Sequence, residues 1–227
     1  MKIIIKENYK ELSHEAFLFV KSRMKKKPNI VLGLATGSTP LGLYKEMSNS
    51  NLNFSRVCSF NLDEYYDIDF KSTQSYHYYM ERNLFSKTGI HGFLLEKDPK
   101  EYERMIKEKK GIDLQILGIG RNGHIGFNEP GSAFESRTRV VDLEEMTRKD
   151  NQRFFKSISD VPKKALTMGM ATIMEAKEIL LLVSGKHKAD ILKKALRGEI
   201  TTEVPASILQ KHNNLYVIID KEAASLL

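Results

Sequence analysis

Cysteine, long apolar runs and linker-like segments are scarce in this 227-residue sequence. The single cysteine, Cys58, excludes an internal disulfide framework and fits a reducing compartment. No apolar run approaches the roughly 18 residues that a transmembrane helix needs, and the run at residues 3–5 is too short for a signal peptide. No Pro/Ser-rich linker, low-complexity tract or repeat divides the chain. We therefore expect one domain over residues 1–227, located in the cytoplasm, with no membrane partner.

The sequence also lacks a concentrated basic region, although its formal net charge is +7. Basic and acidic residues are interleaved along most of the chain. The one tight cluster, Lys25–Lys27, falls at the end of a predicted helix, where cations interact favourably with the helix dipole. There is no basic stripe with stacking aromatic residues and no zinc-finger spacing. We expect no nucleic-acid partner, and the mild positive excess suits a small anionic substrate.

Short apolar runs alternate with longer amphipathic segments from one end of the chain to the other. This alternation predicts an α/β fold, a single domain with a mostly parallel sheet flanked by helices on both faces. Ligands bind at the carboxyl ends of the strands in such sheets, so residues that follow a strand are candidates for a site. The predicted strands are Ile3–Ile5, Ile30–Leu34, Val57–Leu62, Leu114–Leu117, Ile179–Val183 and Tyr216–Ile219. The predicted helices are Tyr9–Lys25, Pro40–Met47, Gln74–Phe85, Pro99–Glu108, Thr172–Ala176 and Lys188–Leu196.

The segment Gly118–Gly131, which follows a predicted strand, is the strongest candidate for an active site. Its glycines allow the backbone to bend sharply and to approach a ligand closely. His124 and Glu129 lie in this segment and can point into one cavity. A histidine beside a carboxylate is a proton carrier near neutral pH. Because no second histidine has ligand spacing from His124, the pattern favours acid–base chemistry over a metal site.

The same segment matches the dinucleotide-binding pattern GxGxxG, and Asp142 follows at about the spacing of that pattern's acidic residue. The pattern requires a helix that opens within the glycines. Residues 124–131 are too rich in glycine and proline to form a stable helix. We therefore expect no nucleotide cofactor.

A second candidate is the polar segment Thr36–Pro40, which joins a predicted strand to a predicted helix. We expect Pro40 to be the first helical residue and Ser38 or Thr39 to be the cap. Free N–H groups and hydroxyls at a helix N-terminus bind anions, so the segment is either a phosphate loop or an ordinary capped turn. It lacks the Gly-Lys-Ser/Thr ending of a Walker A loop.

A third candidate, Asn61–Tyr65, lies at the end of the third predicted strand. Its carboxylates, Asp63 and Glu64, can project over the end of the sheet, where a ligand would bind. Alternatively they are exposed, or they cap the next segment, and the spacing alone favours these simpler roles.

Together these segments resemble the glucosamine/galactosamine-6-phosphate isomerase family over nearly the full length of the chain. The resemblance implies a Rossmann-like fold of the NagB type. Its most specific part is the sequence Gly-His-Ile-Gly-Phe-Asn-Glu-Pro at residues 123–130. The related 6-phosphogluconolactonases share a Gly-His motif but continue with an Ala-Ser-Leu-Phe-Pro type of sequence, without the Asn-Glu pair. The other matching segments are residues 36–40, 61–65, 136–139, 153–155 and 165–188.

The resemblance implies that glucosamine 6-phosphate and water are converted to fructose 6-phosphate and ammonia. Asp63 matches the base that moves a proton between C1 and C2 of the open-chain sugar. His124 matches the residue that opens the pyranose ring, and Glu129 matches the acid that supports it. Asn122 stands where some members have aspartate, and it can orient the imidazole without supplying charge to it.

The resemblance also implies a phosphate site and no cofactor or metal ion. The expected partner is a small-molecule sugar phosphate, and the expected assembly is a monomer or a small homo-oligomer. The choice between glucosamine and galactosamine 6-phosphate stays open. The implied phosphate-binding residues are Thr36, Gly37, Ser38, Thr39, Arg153 and Lys188.

Two other activities share parts of this pattern. A lactonase acting on 6-phosphogluconolactone is disfavoured by the Asn-Glu-Pro sequence at residues 128–130. A non-catalytic sugar-phosphate sensor usually carries a DNA-binding helix-turn-helix segment, for which 227 residues leave no room. The resemblance also places a mobile lid at about residues 143–162. The polar run at residues 144–150 agrees, because it lacks a strong apolar period and would bury little core.

Overall fold

The computed structural model describes residues 1–95, 98–152 and 155–227, and the strands within these residues form two sheets. The strands are β1 (Lys2–Lys6), β2 (Val31–Leu34), β3 (Cys58–Asn61), β4 (Asp63–Tyr65), β5 (His91–Phe93), β6 (Leu114–Leu117), β7 (Arg139–Asp142), β8 (Lys164–Thr167), β9 (Glu178–Val183) and β10 (Leu215–Asp220).

The larger sheet contains seven strands in the order β1-β10-β9-β6-β2-β3-β5, and every neighbouring pair is parallel. Its central strands β2 and β6 are buried along their whole length. Strands covered on both faces are expected to be apolar runs without alternation, as these largely are. The sheet confirms the predicted α/β fold with a mostly parallel sheet.

Helices cover both faces of this sheet. In β9, Leu180 and Leu182 belong to the core cluster that includes α1 and α2, whereas Leu181 and Val183 belong to the cluster that includes α7 and α8. No helix in the described part of the chain combines the length and apolarity needed to cross a membrane. The helices are α1 (Tyr9–Lys26), α2 (Leu41–Ser48), α3 (Tyr76–Met80), α4 (Ser86–Thr88), α5 (Pro99–Glu108), α6 (Glu145–Asn151), α7 (Met170–Met174) and α8 (Ala189–Arg197). A π-helical turn (Glu81–Phe85) joins α3 to α4, and 3-10 turns occupy Ile158–Asp160, Lys186–Lys188 and Pro205–Lys211.

The smaller sheet, with antiparallel strands in the order β4-β8-β7, corrects the sequence interpretation. The predicted strand Val57–Leu62 is interrupted, because the chain leaves the large sheet after Asn61 and β4 begins at Asp63. Leu62 connects the two sheets: its N–H donates to the Leu34 carbonyl and its own carbonyl accepts from the Met168 N–H, both at 2.8 Å. The sequence predicts none of β4, β5, β7 and β8, because these short strands are not apolar runs like β2 and β6 and are too short to show an alternating pattern.

The strand order creates a crevice at the carboxyl ends of β2 and β6. From β2 the chain continues outwards to β3 and β5, whereas from β6 it continues to β9 and β10 on the other side. Open α/β sheets bind ligands at such a switch point. The segments that follow these strands, residues 35–40 and 118–131, therefore meet at the crevice.

Candidate active site

The loop that follows β6 folds back on itself around the ring of His124. The Gly120 N–H donates to the His124 carbonyl at 2.9 Å, and the Gly123 N–H donates to the Gly120 carbonyl at 3.1 Å. The imidazole lies directly against Gly120, where an added Cβ would stand 2.1 Å from its Cε1 atom. Only glycine fits at position 120, because any side chain would displace the ring.

Asn122 connects His124 to Glu129. Its side-chain oxygen lies 2.6 Å from His124 Nδ1 and accepts from the His124 N–H at 3.2 Å. Its side-chain nitrogen donates to Glu129 Oε2 at 3.2 Å. An amide oxygen can only accept, so Nδ1 carries the proton in this arrangement and Nε2 is the nitrogen that can take up another.

Glu129 is a buried carboxyl group, with 7% of its surface exposed. Burial raises its pKa, and the negative charge of Glu144 adds to this effect, whereas nearby Thr147 and the hydrogen bond from Asn122 act in the opposite direction. A carboxyl group with a raised pKa holds its proton closer to neutral pH and is suited to exchange it.

Asp63, the first residue of β4, is also buried and borders the same loop. A Cβ added to Gly126 would lie 3.5 Å from Asp63 Oδ2. Burial, followed by the negative charge of Glu64, raises the pKa of Asp63 to about 8. No described residue hydrogen-bonds Asp63 Oδ1. A buried carboxyl group of this kind, beside a histidine loop, is a candidate proton acceptor.

Glu64 has the capping role that the sequence left open. It is buried, and its carboxylate accepts the N–H groups of Tyr65 (2.8 Å), Tyr76 (2.9 Å) and His77 (2.8 Å). The last two of these N–H groups belong to the first turn of α3. The expectation that Asp63 and Glu64 are exposed is therefore wrong for both residues, whereas the expectation of a cap is confirmed for Glu64.

The loop between β2 and α2 differs from its predicted capping. The helix begins at Leu41, with Pro40 at the cap position and no side-chain capping bond, so neither Ser38 nor Thr39 is the cap. The reason is Tyr9 of α1, whose hydroxyl accepts the Gly42 N–H at 2.8 Å in place of a local cap. No protein partner within the described residues hydrogen-bonds the hydroxyls of Thr36, Ser38 and Thr39, which suits a loop that binds an anion.

Lys188 lies on the opposite side of the crevice, in the turn before α8. Its ammonium group donates to the Ile119 carbonyl at 2.8 Å, which places it against the loop that follows β6. Buried Asp220 orders this turn by accepting from the Ser184 hydroxyl (2.5 Å) and the Gly185 N–H (3.1 Å). The other predicted cation, Arg153, lies outside the described residues.

The structure adds supporting residues that sequence reasoning missed. Asn128 is fully buried; its amide nitrogen donates to the Ile125 and Met168 carbonyls, and its oxygen accepts from Arg139 at 2.9 Å. Thr167, paired with Asp63 in the small sheet, accepts the N–H of Phe127 at 3.1 Å. Asn128 lies in the motif at residues 123–130, so the sequence does carry a signal for it. Thr167 has no sequence signal, because its role depends on a strand pairing about 100 residues apart in the chain.

A cavity of about 380 Å³ adjoins the loop at residues 118–131. It includes Glu129 but not Asp63, His124 or Lys188, so it borders the proposed site without enclosing it. Among the described residues, no group of three or more His, Cys, Asp or Glu side chains is arranged to hold a metal ion. The residues that line the cavity are Phe127, Glu129, Pro130, Gly131, Ser132, Ala133, Arg139, Val141, Asp142 and Glu144.

Known proteins share both the sequence and the fold. Residues 6–217 match the family of glucosamine-6-phosphate isomerases/6-phosphogluconolactonase. The chain is 51% identical to a glucosamine-6-phosphate deaminase from Thermoanaerobacter sp. (strain X514), and the alignment covers 100% of this chain and 95% of that protein. It is 50% identical to the same enzyme from Halothermothrix orenii, with 100% of both chains covered.

Solved structures agree with these relatives. A monomeric glucosamine-6-phosphate deaminase matches with a TM-score of 0.93 and 45% identity, over 100% of both chains. A 6-phosphogluconolactonase from Trypanosoma brucei matches with a TM-score of 0.81 at 20% identity, over 100% of this chain and 98% of that chain, and shows the shared fold alone. The chain belongs to the family of glucosamine-6-phosphate isomerases and 6-phosphogluconolactonases.

Proposed function

We propose that this protein is a glucosamine-6-phosphate deaminase, which converts glucosamine 6-phosphate and water to fructose 6-phosphate and ammonia. The observation that carries the proposal is the juxtaposition of buried Asp63 with the loop in which Asn122 bridges His124 and Glu129. Relatives named glucosamine-6-phosphate deaminase, about 50% identical over the full length of this chain, support the same conclusion.

Ring opening is assigned to His124. Opening the cyclic sugar requires removal of the O1 proton and delivery of a proton to the ring oxygen. Nε2 of His124 can accept and return a proton, since Asn122 holds Nδ1. Glu129, connected through Asn122 and having a raised pKa, supports this exchange. Each well-positioned proton transfer contributes about 10²–10⁴ in rate.

Isomerisation is assigned to Asp63. The open-chain aldehyde acidifies the C2 proton, and Asp63 removes it while the C1 oxygen gains a proton, which forms an enolamine. Asp63 then returns its proton to C1, and the electron pair on nitrogen forms an iminium at C2. Water adds to C2, the C–N bond breaks, and ammonia leaves the ketose. These steps are proton transfers and a hydrolysis, and they require no redox cofactor.

The sugar phosphate is assigned to residues 36–39, with Lys188 and Arg153 as cationic partners. The loop offers N–H groups and hydroxyls, and Lys188 reaches the same crevice from the other side. Binding a phosphate far from the reacting carbons supplies energy that orients the sugar. We also propose that residues 1–227 form one domain, that residues 143–162 act as its lid, and that the protein works in the cytoplasm as a monomer or small homo-oligomer.

Ammonia release tests the activity. Purified protein is incubated with glucosamine 6-phosphate, and ammonia and fructose 6-phosphate are measured by separate coupled enzymes. Galactosamine 6-phosphate and 6-phosphogluconolactone are the comparison substrates, and Asp63→Asn is the matched control. Equal amounts of both products from wild-type protein are expected. Hydrolysis of the lactone without ammonia release from either amino sugar would overturn the proposal.

A further inference from the structure

Tyrosine hydroxyls from three different helices hold the backbone carbonyls of the loop at residues 35–39. One tyrosine comes from each of α1, α2 and α3, so the contacts converge on the loop from separate elements. The hydroxyl–carbonyl pairs are Tyr44–Ala35 (2.5 Å) and Tyr79–Gly37 (2.6 Å), and the single hydroxyl hydrogen of Tyr9 is shared between the carbonyls of Ser38 (2.9 Å) and Thr39 (3.1 Å).

These contacts also fix the direction of the loop N–H groups. The carbonyl and the N–H of one trans peptide point to opposite sides. A hydrogen bond that holds the carbonyl therefore also fixes the direction of the N–H of the next residue. The bond from Tyr79 to Gly37 therefore orients the Ser38 N–H, and the bond from Tyr9 to Ser38 orients the Thr39 N–H. Neither N–H has a protein acceptor within the described residues. Gly37, with a φ of 101°, supplies the turn that this arrangement needs.

We propose that Tyr9 and Tyr79 are positioning residues for phosphate, which keep the N–H groups of residues 38 and 39 directed at the anion. The inference rests on the proposed function, which assigns the sugar phosphate to this loop. A peptide that rotated would turn a carbonyl dipole towards the anion and remove one donor. The hydroxyls oppose that rotation, since the carbonyls would lose their hydrogen bonds.

Tyr79 also ties the loop to the strand that carries Asp63. It lies on α3, whose first turn donates two N–H groups to Glu64, the residue next to Asp63. The same short helix thus contacts both the phosphate loop and the base-bearing strand. Burial raises the pKa of the Tyr79 hydroxyl, so it stays protonated and remains a donor across the working pH range.

Removal of the two hydroxyls tests the inference. Tyr9→Phe, Tyr79→Phe and the double variant keep the aromatic rings, and Tyr216→Phe is the matched control. Tyr216 lies near the amino end of β10, at the end of the sheet opposite the loop, and its ring packs against Phe19. The readouts are the dissociation constant of inorganic phosphate by calorimetry and the KM and kcat for glucosamine 6-phosphate.

Each single change is expected to weaken phosphate binding by about fivefold and the double change by about 20-fold, as expected for lost hydrogen bonds of ordinary strength. KM should rise by similar factors with kcat within about threefold, and Tyr216→Phe should change neither. A double variant that melts like wild type and binds phosphate equally well would overturn the inference, as would a wild-type protein that binds no phosphate. Because the phosphate titration needs no turnover, failure of ammonia release would count against the proposed function alone.

Discussion

The side-chain oxygen of Asn122 lies 2.6 Å from Nδ1 of His124, while its nitrogen donates to Glu129 at 3.2 Å. One neutral amide therefore connects the imidazole to the carboxyl group. An aspartate at this position would repel Glu129, whereas the asparagine donates a hydrogen bond to it. Asn122 thus fixes the ring and its tautomer without placing a second negative charge beside Glu129.

Asn122→Ala should impair the enzyme through His124. We expect kcat/KM to fall about 10- to 100-fold, less than the ~10²–10⁴-fold expected for His124→Gln, because the ring remains but loses its orientation. The double variant should be no worse than His124→Gln alone, since residues that act as one unit give non-additive losses. Steady-state kinetics of the wild type, the two single variants and the double variant complete this double-mutant cycle.

Additive losses in that cycle would show that Asn122 acts independently of His124. A second comparison checks the step itself, because ring opening matters only for cyclic substrate. His124→Gln should therefore lose far more activity on the natural sugar than on an open-chain analogue. Equal losses on both would remove His124 from ring opening.

Asp63→Asn should abolish turnover and leave sugar-phosphate binding nearly intact, because only a group needed in the transition state is lost. We expect kcat to fall at least about 10²-fold, with the inhibition constant of fructose 6-phosphate within about twofold. Asp190→Asn is the matched control, since Asp190 is exposed on α8 and pairs with Lys194. An Asp63→Asn protein that keeps more than about a tenth of wild-type kcat is incompatible with general-base catalysis on this scale.

The large parallel sheet and its helices were predictable from sequence because α1 and β9, for example, carry long apolar patterns that local interactions reinforce. The environment of Asp63 was not predictable in the same way. Its burial depends on the pairing of β4 with β8, a strand about 100 residues further along the chain. Sequence therefore placed Asp63 at the end of a predicted strand but gave it the role of the base only through family resemblance. The missed cap of α2 has a similar cause, because Tyr9 comes from another helix.

The pKa of Asp63, raised to about 8, predicts the acid limb of the activity profile, over which activity rises with pH. The residue acts as a base only when ionised, so kcat/KM should rise about tenfold per pH unit up to about pH 8. Glu64→Gln removes a neighbouring negative charge, lowers the pKa of Asp63 and should shift this limb to lower pH, while its amide oxygen can still accept the N–H groups of Tyr65 and Tyr76. A limb that stays in place or moves to higher pH would contradict the assignment.

The same raised pKa has a consequence for stability. The unfolded chain ionises Asp63 near its ordinary value of 3.8, whereas the folded protein does so at about 8. Between about pH 4 and about pH 8 the folded protein therefore binds one proton more than the unfolded chain. Its free energy of unfolding falls as pH rises from about 4 to about 8. Asp63→Asn removes this cost, so its Tm should exceed that of wild type by several degrees at pH 8 and match it near pH 3.5. Thermal melts at the two pH values check this, and a Tm difference independent of pH would contradict the raised pKa.

The described part of the proposed lid at residues 143–162 contacts several residues around the site. Thr147 of α6 lies near Glu129 and lowers its pKa, and Phe155 packs edge-on against Tyr65 of β4, with ring centroids 5.5 Å apart. Arg148 also donates to the Ile158 carbonyl at 2.9 Å, so a hydrogen bond links two parts of this segment to each other. These contacts are few compared with those of the core helices, as expected of an element that opens.

Ligand binding should therefore draw residues 143–162 closed and shield the enolamine from water. Closure would be driven by contacts made only in the closed state, which include the phosphate contact expected of Arg153. Hydrogen exchange of this segment, measured with and without a sugar-phosphate inhibitor, should slow at least about tenfold on binding, whereas α1 should be unaffected. Arg153→Ala should raise KM and reduce that protection, with Lys10→Ala, on the exposed side of α1, as the control. Exchange that does not change on binding, or an Arg153→Ala enzyme with unaltered KM and kcat, would remove the lid from the mechanism.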